Sequence, residues 1–282
     1  MNIIGLNKNN HNSTTIKWKN NIPYISYKAL ENIPWLTHGF STRMGGVSTD
    51  YLSSMNLGSG RGDSVENVIK NHELIAGAIG FDAHNIVAAK QTHTTNVKIA
   101  SKSDRGKGVY FERDYDNIDG LITNEKNIVL ATYFADCVPL FIVDTKNKAI
   151  GLSHSGWRGT VAKMGKVTIE KMIDLYGTNP KDVIACIGPS ICQSCYEISK
   201  DVADEFIKAF PNNIDRILIK KPNDKYLLDL WMCNKLIFKD AGVLDENIHM
   251  PDICTCCNES VMFSHRASKG KRGNLAAFLE LK

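Results

Sequence analysis

Apolar residues fall into two patterns along this chain. In GDSVENVIKNHELIAGAIG (62–80) they recur at helical spacing: Val65, Val68, Ile69, Ile75 and Ile79 share a face, Asp63 and Glu66 stand in the positions of a capping box, and Gly80 ends the pattern. The same reasoning predicts helices over 160–175, stopped by Gly177 and Pro180, over 199–210, and over 229–241 before Gly242. Between them lie runs of strand character: NIVAAKQTHTTNVKIA (85–100), NIVLATYFADCVPLFIVD (127–144), KAIGLSHSGW (148–157), DVIACIG (182–188) and the weaker RILIKK (216–221). Helices and strands interleave without strict βα alternation, which favours a mixed-sheet α+β or layered α/β architecture over a Rossmann fold or a TIM barrel. No repeat, linker or sharp composition shift divides the chain, so one domain over 1–282 is expected, with residues 1–15 as a loose polar tail.

Composition narrows the class. The 282 residues are 43% hydrophobic and 23% charged, which suits a globular protein and excludes disordered and fibrous classes. No apolar run reaches the length of a membrane span, and the polar N-terminal stretch lacks a signal-peptide core, so a soluble, cytoplasmic protein without a membrane partner is expected. The net charge of +4 comes from 34 basic and 30 acidic residues mixed along the chain, too mild for a nucleic-acid partner but compatible with a small anionic substrate. A monomer or weak homo-oligomer is expected.

Eight cysteines in this length are too sparse for a disulfide scaffold, leaving reduced thiols, metal ligation or a nucleophile. Cys192/Cys195 and Cys254/Cys257 are CxxC pairs and invite a structural zinc reading. The pairs are far apart in the chain, however, and small buried thiols beside turns are the plainer expectation.

Three polar residues sit in or at the end of the strand-like runs: His93, Cys137 and His154. Two imidazoles and a thiolate form a borderline-soft donor set for Zn²⁺ or copper, and three protein ligands leave a fourth position open. Nothing in the linear spacing brings them together. His154 opens GLSHSGWRGT, where Gly156 and Gly159 permit close backbone approach and Trp157 and Arg158 lead into a helix N-terminus suited to an anion. Arg43 in HGFSTRMGGVS and the group His265, Arg266 and Arg272 in FSHRASKGKRGNL are further cations among glycines, able to bind phosphate or to stand in solvated turns. Asp119-Gly120 in DNIDGLIT reads as a tight turn opening a strand, with no chemistry assigned.

In order, HGFSTRMGGVS, KQTH, DGLIT, ADCVPLFIVD, GLSHSGWRGT, IGPSICQSCYEI, DICTCC, FSHR and GNLAAF resemble the YfiH-like family, also called laccase-domain or polyphenol-oxidase-like proteins. The resemblance implies a four-layer α/β-β/α sandwich and a metal site of His93, Cys137 and His154. It also implies zinc-dependent action on purine nucleosides: phosphorolysis of adenosine, inosine, guanosine and 5′-methylthioadenosine, and hydrolytic deamination of adenosine. An older family label, copper polyphenol oxidase, keeps copper as an alternative metal. The chain departs from the family pattern at Asn274, where an arginine is usual, with Arg272 just before it, and at Cys192 and Ser194, where a glycine and a cysteine are usual.

For such chemistry Asp136, beside Cys137, is a candidate proton shuttle, Arg43 a phosphate holder, and Phe40 or Trp157 a stacking surface for the base. Three rival classes remain: a Cys–His hydrolase using Cys137 and His154; a copper oxidase, disfavoured because the repeated His-x-His pairs of three-copper clusters are missing; and a non-catalytic binding module, disfavoured by the concentration of His, Cys and Arg at glycine-lined strand ends.

Overall fold

The computed structural model describes residues 12–282. Its first half runs β1 (Thr14–Lys19), β2 (Ile22–Tyr27), α1 (Lys28–Glu31), β3 (Leu36–Ser41), α2 (Val65–Ile79), β4 (Ile86–Ala88), β5 (Val97–Ile99), β6 (Gly120–Thr123), β7 (Val129–Phe134) and β8 (Val138–Asp144). Then follow β9 (Ala149–Ser155), α3 (Trp157–Val161), α4 (Met164–Tyr176), β10 (Val183–Ile187), β11 (Glu197–Ser199), α5 (Lys200–Ala209) and α6 (Ile214–Ile217). The chain ends with β12 (Leu218–Lys220), β13 (Lys225–Leu228), α7 (Leu230–Asp240), β14 (Ile248–His249) and β15 (Leu275–Leu281).

Two six-stranded mixed sheets, β1-β2-β3-β15-β7-β4 and β14-β10-β8-β9-β6-β5, lie face to face, and a small sheet β11-β13-β12 stands beside them. Alternation along the strands builds the layers. In β9, Ile150 and Leu152 point between the sheets, where they meet Phe141, Leu130 and Ala277, whereas Ser153 points outward and its hydroxyl hydrogen-bonds that of Thr168 on α4 (2.8 Å). Ile75 and Ala76 of α2 cover the outer face of the first sheet; Ile169 and Met172 of α4, with Ile237 and Phe238 of α7, cover the second. Helix, sheet, sheet and helix make the four-layer α+β sandwich that the resemblance implies. Each large apolar side chain buried between layers contributes about 1.5–3 kcal/mol.

Several local expectations are corrected. Ser64, not Asp63, caps α2 by accepting from the Asn67 N–H (3.1 Å), and Val65 is exposed rather than on the buried face. The helix expected over 160–175 is two, α3 and α4, broken at Lys163, whose φ of 61° no helix tolerates. The run 85–100 is not one strand: β4 and β5 belong to different sheets, with 89–96 crossing between them. The 127–144 run likewise splits into β7 and β8. Of the stretch expected as a loose tail, residues 1–11 lie outside the described residues, and Thr14 and Thr15 open β1. Among the described residues no helix is long and apolar enough to cross a membrane.

Candidate active site

Topology brings the distant residues together. β4 runs parallel to β7, so the crossing segments 89–96 and 135–137 leave the first sheet at the same end. β8 pairs antiparallel with β9, with Val138 opposite Ser155, so β8 begins where β9 finishes. His93 on the first crossing, Cys137 on the second and His154 near the end of β9 therefore meet at the seam between the sheets. Their donor atoms all lie within 4.8 Å of one another.

Each side chain is held. His154 faces inward on β9 like Leu152, packs on the Phe134 ring (5.5 Å between centroids), and donates Nδ1–H to Asp119 Oδ1 (2.8 Å). That bond engages Nδ1 and leaves Nε2 as the ring nitrogen that faces Cys137 and could ligate a metal. Asp119 is fully buried and also accepts from the backbone N–H groups of Thr92 (2.9 Å), His93 (3.1 Å) and Thr94 (2.9 Å). One carboxylate thus orients both histidines. The Gln91 amide clamps the same loop, donating to Tyr133 O (2.8 Å) and accepting from Tyr133 N–H (2.7 Å). These bonds hold His93 in a left-handed conformation, φ 66°, which a non-glycine residue keeps only where its surroundings impose it. Asp119 was read from sequence as a turn residue; no local signal distinguishes a turn aspartate from one beneath two histidines.

Gly156 answers to the same packing. A Cβ there would stand 2.9 Å from His93 Cδ2 and 3.1 Å from Cys137 Sγ, so only glycine lets α3 begin directly over the trio.

The electrostatics are those of a strong donor set. Burial opposes the Cys137 thiolate, but the charge and hydrogen bonds of His154 and His93 outweigh it and bring the thiol down to about 6. Burial also opposes the His154 imidazolium, yet Cys137 and Asp119 carry it up to about 9. Asp119 sits at about 2: burial works against its charge, and His154 with the backbone donors prevails.

The trio forms the floor of a cleft of about 310 Å³ whose walls include Arg61, Gln91, Arg113, Tyr133, Arg272 and Asn274. Asn274 Oδ1 accepts from Arg61 Nε (3.1 Å) and from Arg272 Nη1. Burial, then repulsion from Arg61, lowers Arg272 to about 10, and its Nε is buried with no hydrogen-bond partner. Two guanidiniums crowded on one amide leave an unmatched positive site.

The other candidates lie elsewhere. Phe40 is completely buried against Phe134 and has no face to offer a base. Arg43 stacks over Phe263 (4.6 Å), donates to the carbonyls of Ser53 (2.8 Å) and Glu259 (2.9 Å), and lines a neighbouring hollow that shares Arg272. Arg158 lies over the Trp157 ring (4.2 Å), and neither lines the cleft of the trio. The Asp136 carboxylate accepts from Thr255 Oγ1 (2.7 Å) and from the Arg266 N–H (2.7 Å), so both oxygens are engaged in holding the 255–266 segment rather than free for proton transfer. The Arg266 guanidinium braces the carbonyls of Cys195 (3.2 Å) and Glu197 (2.9 Å).

Two facing mixed sheets with a His₂Cys trio at their seam bring together donor atoms of the kind that can hold a metal ion. The family described as multi-copper polyphenol oxidoreductase laccase matches residues 37–282, and the chain belongs to that YfiH-like family. It is 39% identical over 248 residues to the Bacillus subtilis purine nucleoside phosphorylase YlmD, covering 86% of this chain and 88% of that protein. It is 32% identical over 241 residues to the adenosine deaminase RL5 from an unknown prokaryotic organism, covering 85% and 90%. The crystal structure of the Bacillus licheniformis hypothetical protein YfiH superposes with a TM-score of 0.89 at 31% identity, over 95% of this chain and 99% of that one.

Proposed function

We propose that this protein is a zinc-dependent purine nucleoside enzyme. It cleaves adenosine, inosine and guanosine with phosphate, giving free base and ribose-1-phosphate, cleaves 5′-methylthioadenosine to adenine and 5-methylthioribose-1-phosphate, and deaminates adenosine to inosine. The observation that carries this reading is the convergence of His93, Cys137 and His154 beneath a cleft walled by paired arginines.

The donor set fits zinc: two imidazoles and a thiolate of lowered pKa, an outer carboxylate fixing one tautomer, and a glycine where any side chain would intrude. A zinc ion held by the trio would supply Lewis acidity and lower the pKa of a bound water. A three-copper oxidase needs many converging imidazoles, and the trio supplies two.

The chain's own residues handle the anion. Phosphate accepts bidentate hydrogen bonds from guanidinium, and a dianion relieves the repulsion between Arg61 and Arg272 while giving Arg272 Nε a partner. Asn274 stands where the family usually has arginine; here its carbonyl aims two other arginines instead. This geometry favours Arg61 and Arg272 over Arg43 as the phosphate holders.

A second reading has its own support. A thiol near 6 beside an imidazole backed by a carboxylate is also the arrangement of a cysteine nucleophile.

The test is incubation of the purified protein with adenosine, with and without phosphate, and separation of products. Adenine and ribose-1-phosphate are expected with phosphate, inosine without it, and absence of all three products contradicts the reading. Loss of one charged hydrogen-bonding partner predicts that Arg272→Ala raises the KM for phosphate about 10- to 100-fold, while Arg43→Ala leaves it near the parent value. The reverse ranking would move the phosphate to the neighbouring hollow.

A further inference from the structure

A second cluster of donors lies outside the cleft. Cys192 and Cys195, on the loop after β10, meet Cys254 and Cys257, on the turn after β14, and all four sulfurs lie within 4.8 Å of one another. Four ligands about 2.3 Å from a tetrahedral zinc stand ~3.8 Å apart, so the cluster needs only sub-ångström to about 1 Å adjustments of its sulfurs to enclose the ion. We infer that Cys192, Cys195, Cys254 and Cys257 form a structural zinc site that ties the 190–195 loop to the 254–257 turn.

Independent features of the backbone support this. Cys254 Sγ accepts N–H hydrogen bonds from Cys192 (3.2 Å) and Cys257 (3.4 Å), the pattern that stabilises charge on a sulfur shared between two turns. The turns are registered by a bridge between Ser190 and Cys254, with the Thr255 N–H donating to Ser190 O (3.1 Å). All four thiols are free, and the Cys195 and Cys257 sulfurs approach to 3.4 Å. Four thiolates complete a tetrahedron and leave no position for substrate, which marks a structural rather than a catalytic site.

Its position explains what it would hold. Ile191 N–H donates to Asp136 O (3.0 Å), while Thr255 and the Arg266 backbone grip the Asp136 carboxylate, so both arms of the clamp end on the residue preceding Cys137. Asp136 itself has φ 83° and depends on such support. The clamp therefore braces the turn that presents Cys137 to the trio, without touching the cleft. The site does not depend on which reaction the trio performs.

Elemental analysis of the reduced, full-length protein tests the inference. About two zinc ions per chain are expected in the parent, and about one in a His93→Ala/His154→Ala variant, whose remaining cobalt derivative should carry the intense thiolate-to-metal charge-transfer absorption of a tetrathiolate. Cys254→Ser should also hold about one and melt at a lower temperature. If that variant fails to fold, the histidine variant still decides. A histidine variant that binds no metal, a bound metal that proves to be iron, or a protein isolated under reducing conditions with these cysteines joined as disulfides would each overturn the proposal.

Discussion

The histidine–cysteine trio and the cysteine quartet are built from overlapping chemistry to opposite ends. The trio offers three donors, one of them the exposed His93, under an open cleft, and is supported from behind by a buried carboxylate. The quartet offers four donors and takes its support from backbone N–H groups of its own turns. On the two proposed roles, what separates a reactive site from a staple is the number of donors and the source of their support, since cysteine sulfur occurs in both. The trio's loops converge because two sheets share an end; the quartet's turns converge because they are bridged.

Substitutions that act on one cluster and spare the other test the contrast. Cys137→Ala should cause the largest effect: losing several kcal/mol of transition-state stabilisation lowers kcat/KM about 10³-fold, with melting temperature little changed. Cys254→Ser should act mainly on melting temperature. Equal effects of both variants on both readouts would erase the distinction.

Gly156→Ala comes next. Its methyl group would press on His93 and Cys137, and displacement of a reacting group by about 1 Å lowers turnover about 100-fold. Parent-like turnover in a folded Gly156→Ala protein would mean that the trio tolerates displacement and is not the reactive centre. Asp119→Asn removes the charge that orients His154 and should weaken zinc binding or activity about 10- to 100-fold, measurable by competition with a chromogenic chelator.

The most gradual effect, taken per pH unit, is the pH dependence of metal binding. With the His154 imidazole raised to about 9 and the Cys137 thiol lowered to about 6, the metal-free trio carries one proton between those values. Zinc must displace it, so affinity for the trio should fall about tenfold for each pH unit below 9, and more steeply below 6 as Cys137 also takes up a proton. A flat profile from 9 to 6, measured on a quartet-deficient variant, would show that His154 is not a ligand.

Much of this was legible in the chain, unevenly. His93, Cys137 and His154 stand out because polar residues beside apolar runs are unusual, but their convergence depends on β4 running beside β7 and β8 beside β9, pairings that hydrophobic periodicity does not encode. Gly156 was recognisable as a point of close approach, though not what approached it. Asp119 was missed because a buried carboxylate that collects five donors has the same local sequence as a turn. Asp136 and Phe40 misled in the opposite direction: adjacency to Cys137 suggested the one and an aromatic ring the other, while the turn at φ 83° directs Asp136 to Thr255 and packing against Phe134 buries Phe40. Asn274 looked like a lost arginine, and only the side-chain geometry makes it the aiming point for Arg61 and Arg272.

The central claim is that the trio works as a metal site. The most direct measurement is adenosine turnover by chelator-stripped protein before and after zinc is restored, in parallel with untreated protein exposed to iodoacetamide. Loss of turnover on stripping and its recovery with zinc are the results predicted. Turnover that survives complete removal of metal yet disappears on alkylation of Cys137 would contradict the account and make the cysteine a nucleophile.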